Sequence, residues 1–257
     1  MSSALRIALI YPDLLGTYGD RGNALILAHR ARAREISAEI VMIGASAPIP
    51  EGCDIYLLGG GEDAAQINAA AGLHAAAPGI QRSLSGGAAL FAVCAGFQLI
   101  GHTYAAADGS SLSGIGLVDM HTIAGETRLM GELLIEPAPE TGLPTLSGFE
   151  NHGGRTHLAP SERPFGRVLA GGGNGSDAGG AEHGDGVLKG GIIGTYMHGP
   201  ALARNPALAD YLIAYATKRT LAHMGDELVT EFRNERIRVA SLTGGALRRE
   251  TQRLSRG

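Results

Sequence analysis

Short apolar runs alternate with helical stretches along the first half of this 257-residue chain. The apolar runs predict buried strands, at residues 5–11, 39–43, 54–58 and 88–93. The stretches between them predict helices, at residues 21–35 with Asp20 as the capping residue and at residues 62–84 with a break near Pro78. This alternation predicts an α/β fold built on a doubly wound, mainly parallel sheet. In such sheets ligands bind at the carboxyl ends of the strands.

The second half of the chain is richer in strand-like segments. Strands are predicted at residues 117–123, 127–135, 167–170 and 191–196, and a helix at residues 206–221. Residues 171–180 (GGGNGSDAGG) predict a flexible loop or hairpin tip, and they lack the Lys-Ser/Thr ending of a phosphate-binding loop. No repeat or linker divides the chain. We therefore expect one domain over residues 1–224, followed by a basic helix or tail over residues 225–257.

The composition excludes several classes of protein. Glycine is unusually frequent, at 40 residues, but shows no Gly-X-Y period. An apolar share of 44% and a net charge of −4 argue against disorder and against a nucleic-acid partner. Cys53 and Cys94 are too few for a disulfide scaffold. The longest apolar stretch, residues 88–100, is shorter than a membrane span, and the N-terminus has no signal-peptide layout. We expect a compact cytoplasmic protein without a transmembrane segment.

The C-terminal tail carries a charge opposite to that of the rest of the chain. Residues 233–257 contain seven arginines against Glu235 and Glu250, a net charge of +5, which leaves −9 on the preceding residues. Two interpretations stay open. The tail is either a solvated helix or a docking surface for an acidic partner or an anionic membrane.

Cys94 lies where a buried strand runs into a short helix, in Phe91-Ala-Val-Cys-Ala-Gly-Phe-Gln98. Small residues flank it at Ala92 and Gly96, as a sharp strand-to-helix turn requires, and the nucleophile elbow of serine hydrolases has the same requirement. Such a turn places the sulfur at a helix N-terminus, where oriented N–H groups favour the thiolate. The pattern predicts a nucleophile, against the alternative of an inert buried cysteine. Cys53 has no such surroundings, and we interpret it as structural.

Three glycines, residues 59–61, directly follow the predicted strand at 54–58. Glycine allows backbone N–H groups to approach a ligand closely. In a parallel sheet this loop lies at the same edge as Cys94. An oxyanion hole shared with the N–H of Ala95 is therefore expected, although an ordinary strand-to-helix turn has the same pattern.

A thiol nucleophile needs a base, and nine histidines compete for that role. His198 follows the predicted strand at 191–196, again at a carboxyl end, whereas His152 lies in Glu-Asn-His-Gly-Gly. Its placement at the carboxyl end of a strand favours His198 over His152 as the base. No His-x-x-x-His or Cys-x-x-Cys pair occurs in the sequence, so we predict no metal site.

Together these motifs resemble the class I glutamine amidotransferases of the cobyric acid synthase (CobB/CobQ-like) branch, which have a flavodoxin-like architecture. The matching segments are Val-Cys94-Ala-Gly-Phe-Gln, Leu-Leu-Gly-Gly-Gly-Glu-Asp63 and Tyr-Met-His198-Gly-Pro. Residues 11–23 (YPDLLGTYGDRGN) and 148–155 (GFENHGGR) further resemble the glutaminase subunits of lipid II isoglutaminyl synthases. The resemblance spans about residues 5–221, and the chain beyond about residue 225 matches no motif.

The resemblance implies a role for individual residues. Cys94 is expected as nucleophile and His198 as general base and acid. The oxyanion hole is expected from Gly60, Gly61 and Ala95. The remaining implied residues bind substrate: Arg128 holds the α-carboxylate of glutamine and Gln98 helps to position it.

The chain departs from the wider class at the third member of the triad. Most class I glutaminases carry Glu two residues after the catalytic histidine, and Pro200 stands there in this chain. Either Asp20 or another local acid replaces it, or a partner synthetase supplies the carboxylate on docking. The resemblance favours the partner, which would make the isolated chain a weak glutaminase.

The resemblance also implies a heterodimer with a Mur-ligase-family synthetase (MurT). This chain would hydrolyse L-glutamine and bind no cofactor, while ATP and Mg²⁺ would act on the ligase. The ammonia would amidate the α-carboxylate of D-glutamate in the lipid II stem peptide, at the inner face of the membrane. Two alternatives stay open: a glutaminase that serves another synthetase, such as one for corrinoid amidation, and a non-catalytic interaction module.

Overall fold

The chain folds into two β-sheets with helices packed around them. A computed structural model describes residues 3–45, 47–106, 109–175 and 183–254. The helices in these ranges are α1 (Arg21–Arg32), α2 (Asp63–Ser85), α3 (Ala95–Leu99), α4 (Ala201–Arg204), α5 (Pro206–Thr217) and α6 (Glu227–Leu254). The strands are β1 (Leu5–Ile10), β2 (Ala38–Ile43), β3 (Ile55–Leu58), β4 (Ala89–Val93), β5 (Thr103–Ala105), β6 (Ser111–Ser113), β7 (Met120–Pro137), β8 (Leu146–Leu158), β9 (Gly166–Ala170), β10 (Gly184–Asp185), β11 (Val187–Lys189) and β12 (Ile192–Thr195).

The first sheet has the strand order β11-β12-β4-β3-β1-β2. Its strands are parallel except β11, which pairs antiparallel with β12 at one edge. This confirms the predicted α/β fold with a mainly parallel sheet. The register sets Leu58 beside Ala92 and Val93 beside Thr195, so β3, β4 and β12 end at one edge of the sheet. That edge carries Cys94 and the segments that surround it.

The central strand β4 is buried along its whole length, with each of its residues at most 1% exposed. Strands covered on both faces read as continuous apolar runs, and Ala-Leu-Phe-Ala-Val fits that rule. The burial of β4 fixes the position from which the chain turns at Cys94.

The second sheet was not predicted as a separate layer. Its strand order is β10-β9-β7-β5-β6, and β8 pairs antiparallel with β7. The sequence predicted two strands at 117–123 and 127–135, but β7 runs continuously through both, with a register shift between Ala124 and Leu129. Strand β8 was missed altogether. The N-terminal part of β8 contacts the segment that follows β12 of the first sheet, where Phe149 and His198 exchange backbone hydrogen bonds.

Two helix predictions need correction. Helix α2 continues through Pro78 instead of breaking there. Leu73 and Ile80 lie on the two sides of this proline and are both buried, so packing holds the helix together across the missing hydrogen bond. Helix α5 ends at Thr217 rather than 221, because Lys218 adopts a left-handed conformation, with φ of 56°. Residues 176–180 of the predicted glycine loop lie outside the described ranges.

Candidate active site

Cys94 occupies a strained turn between β4 and α3. Its φ of 50° and ψ of −106° are unusual for a residue with a side chain. Two residues on, Gly96 lies so close to β3 that an added Cβ would be 2.5 Å from the Cβ of Leu58. This crowding is the reason that a small residue at position 96 accompanies the turn. The strand-to-helix elbow predicted from the sequence is therefore present.

His198 lies beside Cys94, at the end of the segment that follows β12. Its side chain is fully buried, and its backbone is held by Phe149 of β8, with His198 N–H donating to the Phe149 carbonyl at 2.8 Å. Burial alone would lower the pKa of His198, but its interactions with Asp20 and Cys94 raise that pKa to about 9. The imidazole is therefore protonated at neutral pH and sets a positive charge beside the sulfur.

Asp20 contacts both His198 and Gly60. Its Oδ2 lies 3.2 Å from His198 Nδ1 and accepts a hydrogen bond from the Gly60 N–H at 2.7 Å. Although Asp20 directly precedes α1, its side chain makes no capping hydrogen bond to that helix, contrary to the sequence prediction. A local carboxylate thus lies against the imidazole in this chain.

The contact between Gly60 and Asp20 changes the expected oxyanion hole. The Gly60 N–H donates to the carboxylate of Asp20, so it is not available to an oxyanion, and the expected role of Gly60 in the oxyanion hole is corrected. The N–H of Ala95 opens α3, where the first N–H groups lack partners within the helix. The absence of a side chain at Gly60 instead allows the His198 ring to pack against the backbone, since an added Cβ would lie 2.3 Å from His198 Cε1. Gly61 and Ala95 are the donors that this geometry leaves for an oxyanion.

A cavity of about 540 Å³ opens in front of the Cys94 side chain. Gly61, Gln98 and Arg128 line it together with Cys94, so four of the predicted residues meet there. Gln98 is buried and fixed on both sides: its Oε1 accepts from Gln66 Nε2 at 2.9 Å, and its Nε2 donates to the Tyr196 hydroxyl at 3.3 Å. This cavity is called the thiol cavity below.

Arg128 is an exposed residue held in place by Asn151. Its Nε donates to Asn151 Oδ1, and its Nη2 donates to the Asn151 carbonyl at 3.2 Å. Asn151 Nδ2 in turn donates to the Tyr18 hydroxyl at 2.6 Å, and the Tyr18 ring lies against His198 with the centroids 4.5 Å apart. Asn151 and Tyr18 were missed as site residues. The signal was present, because both lie within the motifs at 148–155 and 11–23.

His152, the rival base, also lines the thiol cavity, but its ring nitrogens are directed elsewhere. Nδ1 lies 3.0 Å from the Gly154 carbonyl and Nε2 lies 3.5 Å from Glu150, while the ring stacks on Tyr196. Burial lowers the pKa of His152, although Glu150 partly opposes this. The geometry therefore supports His198 over His152.

Three further features bear on the sequence predictions. Cys53 is buried away from these residues, and burial raises its thiol pKa. Gly172 and Gly173, at the start of the glycine-rich loop, donate backbone N–H groups to the buried carboxylate of Glu150 at 2.7 and 2.9 Å. Within the described ranges, no helix combines the length and apolar character needed to cross a membrane.

Fold and site together define a class I glutamine amidotransferase. A family model for the CobB/CobQ-like glutamine amidotransferase domain matches residues 6–206, which is most of the chain. The chain belongs to this family and is a glutamine-hydrolysing amidotransferase.

Curated relatives narrow the comparison. The chain is 34% identical over 208 residues to the GatD subunit of the glutamine-hydrolysing lipid II isoglutaminyl synthase of Staphylococcus aureus (strain N315), covering 80% of this chain and 82% of that protein. It is 35% identical over 217 residues to the GatD subunit of Streptococcus pneumoniae (strain ATCC BAA-255 / R6), covering 84% and 81%. The chain is 29% identical over 189 residues to the cobyric acid synthase of Sphingopyxis alaskensis (strain DSM 13593 / LMG 18877 / RB2256), and the match covers 70% of this chain but only 35% of that longer protein.

Solved structures agree on the fold. A glutamine amidotransferase structure superposes with a TM-score of 0.56 at 16% identity, covering 82% of this chain and 98% of that chain. A glutamine amidotransferase from Thermotoga maritima gives a TM-score of 0.52 at 15% identity, covering 95% and 91%.

Proposed function

We propose that this chain is the glutaminase subunit of a lipid II isoglutaminyl synthase, with Cys94 as its nucleophile. The observation that carries the catalytic part is the contact of His198 with both Cys94 and Asp20 at one sheet edge, with Cys94 lining the thiol cavity. The resemblance to two GatD subunits along four-fifths or more of the chain supports the choice of pathway.

Acylation begins with the Cys94 thiolate attacking the side-chain carboxamide carbon of glutamine. The negative charge moves to the amide oxygen, where the N–H groups of Gly61 and Ala95 stabilise it. His198 then gives its proton to the amide nitrogen, the C–N bond breaks, and ammonia leaves behind a γ-glutamyl thioester. Because His198 is charged at neutral pH, the proton is in place before the reaction starts.

Deacylation uses the same groups in the reverse order. Neutral His198 accepts a proton from water as the water oxygen attacks the thioester carbonyl, and collapse of the intermediate breaks the C–S bond. Glutamate and the Cys94 thiolate result, with His198 protonated again. Arg128 suits the α-carboxylate of glutamine, because a guanidinium pairs with a carboxylate through two parallel hydrogen bonds.

Asp20 is the proposed orienting acid. Its 3.2 Å contact with His198 Nδ1 holds the ring so that Nε2 is turned toward the reacting groups. The sequence is compatible with either a local acid or the synthetase as the source of this carboxylate, and the family resemblance favours the synthetase. The position of Asp20 supports a local acid as the source of the carboxylate that orients His198.

The acceptor chemistry belongs to a second subunit in this proposal. A Mur-ligase-family partner of the MurT type would bind ATP and Mg²⁺, activate the α-carboxylate of D-glutamate in lipid II, and receive the ammonia. The complex would work at the inner face of the membrane, where its lipid-linked substrate lies. Corrinoid amidation has less support, since the cobyric acid synthase relative is matched over about a third of its length.

The experiment is a Cys94→Ser variant assayed in complex with the synthetase. Glutamine-dependent amidation of lipid II should be lost, while amidation from added ammonium salts should continue at the wild-type rate. Cys53→Ala is the matched control, because it changes the other buried cysteine and should leave both activities intact. If Cys94→Ser abolishes both activities, the assignment of Cys94 as the glutaminase nucleophile is overturned, because loss of that nucleophile alone would leave amidation from ammonium intact. Amidation of a corrinoid instead of lipid II would overturn the acceptor.

A further inference from the structure

Arg128 lies in an irregular part of β7. The pairing of β7 with β8 shifts register between Ala124 and Leu129. These two residues lie opposite Gly154 and His152, so only one residue of β8 lies opposite the four that separate them on β7. A ladder interrupted in this way holds its residues less firmly than a regular one. The position of Arg128 therefore depends on its side-chain contacts.

Asn151 takes up one edge of the Arg128 guanidinium. The Nε of Arg128 donates to Asn151 Oδ1, and Nη2 donates to the Asn151 carbonyl. A guanidinium presents its N–H donors in a planar fork, so these two bonds fix the plane and leave the remaining edge free. Within the described ranges no carboxylate pairs with Arg128. Its charge is thus unpaired beside the thiol cavity, and Asn151 sets the direction of its free N–H groups.

The same amide holds the hydroxyl of Tyr18. Asn151 Nδ2 donates to that oxygen at 2.6 Å. A phenol that accepts a hydrogen bond keeps its own hydrogen for a second partner, and the described part of the chain provides Tyr18 with no acceptor. Tyr18 lines the thiol cavity together with Arg128. Because one planar amide contacts both side chains, Arg128 and Tyr18 are held as neighbouring donors.

The ring of Tyr18 connects these donors to the base. It lies against His198 with the centroids 4.5 Å apart and the planes tilted by 56°. The His198 side chain is fully buried, so the Tyr18 ring is part of the packing that fixes the imidazole. Asn151 therefore contacts the residue expected to bind substrate on one side and the residue that packs on the base on the other.

A carboxylate is the ligand that suits this pair of donors. Its two oxygens accept from a guanidinium and from a hydroxyl, and such charge-assisted hydrogen bonds are short and strong. We propose that Asn151 is a positioning residue, which holds Arg128 and Tyr18 as joint donors to the α-carboxylate of glutamine beside the ring of His198. Two fixed donors orient the substrate better than an exposed arginine alone. This inference rests on the proposed function and adds the residues that place the substrate.

The test compares two reagents that share a reactive group. A chloroketone analogue of glutamine carries the α-carboxylate, whereas chloroacetone has only the reactive chloroketone. With either reagent the Cys94 thiolate displaces chloride, so that a C–S bond forms as the C–Cl bond breaks. All proteins carry Cys53→Ala, which leaves Cys94 as the only thiol of this chain. Alkylation is followed by the mass of this chain, in complex with its synthetase.

We expect Asn151→Leu to slow alkylation by the glutamine analogue about tenfold or more, while alkylation by chloroacetone changes less than about twofold. Leucine is similar in size to asparagine and removes both side-chain contacts. Tyr18→Phe keeps the ring and loses the hydroxyl, so it should slow the analogue less than Asn151→Leu does. Asn68→Leu is the matched control, at an exposed position of α2 outside the cavity lining, and should match the parent protein.

Equal slowing of both reagents in Asn151→Leu overturns the proposal, because position 151 would then act on the thiol or on the fold. Alkylation of Asn151→Leu by the analogue at the parent rate overturns it as well. A different result tests the proposed function itself. If the analogue reacts with the parent protein no faster than chloroacetone does, the chain does not recognise glutamine and the proposed function fails instead.

Discussion

Replacing Asp20 with asparagine tests how the imidazole of His198 is controlled. The substitution keeps the size of the side chain and removes its charge. The rise in the pKa of His198 from 6.5 to about 9 corresponds to about 3 kcal/mol in favour of the charged ring. Asp20 and Cys94 supply this preference against the opposing effect of burial. Both members of the His198–Asp20 pair are almost fully buried, so little of their attraction is lost to solvent screening.

Without the carboxylate, only Cys94 still opposes the effect of burial, so the pKa of His198 should fall from its wild-type value of about 9. NMR titration of the ring measures this directly, with a midpoint near pH 9 in the wild type and a clearly lower midpoint in Asp20→Asn. The limb of the glutaminase pH profile that needs protonated His198 should move by the same amount. We expect kcat at neutral pH to drop by about 10²–10⁴, the range typical of general acid–base catalysis.

The same shift predicts a pH dependence of stability. A histidine whose pKa is raised in the folded state contributes stability that is fully present below its unfolded value of 6.5 and is lost as the pH rises through about 9. Urea unfolding should therefore show a gap between wild type and Asp20→Asn that is wide near pH 6. The part of that gap due to His198 should disappear above pH 9.

Asp119→Asn is the matched control. Asp119 lies 3.2 Å from His102, the same separation as in the buried pair, but both side chains are more than half exposed. This variant should leave the glutaminase pH profile unchanged. The reasoning is refuted if the ring of His198 still titrates near pH 9 in Asp20→Asn. Full activity of Asp20→Asn in the complex would show that the synthetase provides the orienting carboxylate, as the resemblance had implied.

Two other perturbations test the fold around the site. Burial raises the pKa of Asp185 to about 7, so the folded state binds an extra proton between about pH 4 and 7 and the wild-type protein should lose stability as the pH rises through that range. In urea unfolding, Asp185→Asn should remove this pH dependence. The same pH dependence in both proteins would contradict the prediction. Arg30→Met should lower the free energy of unfolding by about 2–4 kcal/mol, because Arg30 is only 4% exposed and pairs with both Asp210 and Asp226. Arg82→Met is the control and should lower it much less, because the pair of Arg82 with Glu51 is exposed. Equal losses in the two variants would contradict the prediction.

Most of the first sheet could be predicted because β1, β3, β4 and β12 are short apolar runs that are almost entirely buried, whereas β11 was not predicted. Cys94 could be located for the same reason, since the turn after such a strand demands small neighbours. His198 followed from its position after another strand of the same sheet. These inferences use local sequence together with one rule, that parallel strands end at a common edge.

The second sheet could not be predicted in the same way. Strand β8 contains polar and glycine residues along Phe149 to Thr156, and their partners lie on β7, up to 34 residues away. Strand β7 was predicted as two strands, and the gap left between them coincides with the register shift between Ala124 and Leu129. The pairing that places Asn151 against Arg128 depends on this long-range register, so the residues that hold Arg128 in place were not found.

The role of Asp20 illustrates a different limit. Its position before α1 predicts a helix cap, and local sequence favours that interpretation. In the structure tertiary contacts prevail, because the buried imidazole of His198 and the Gly60 N–H both contact Asp20 Oδ2. No pattern in residues 11–23 shows that His198 lies nearby in space.

The left-handed backbone at Cys94 sets catalysis against stability at a single position. A residue with a side chain held at φ of 50° costs about 1–3 kcal/mol that glycine would avoid. The enzyme cannot relax this turn without losing its sulfur, so the surrounding core must offset the strain permanently. Selection for thermal stability alone would drive position 94 toward glycine and inactivity. Under the proposed function, a relative that has lost the reaction is therefore expected to lose this cysteine early, because nothing else at the turn would offset the strain.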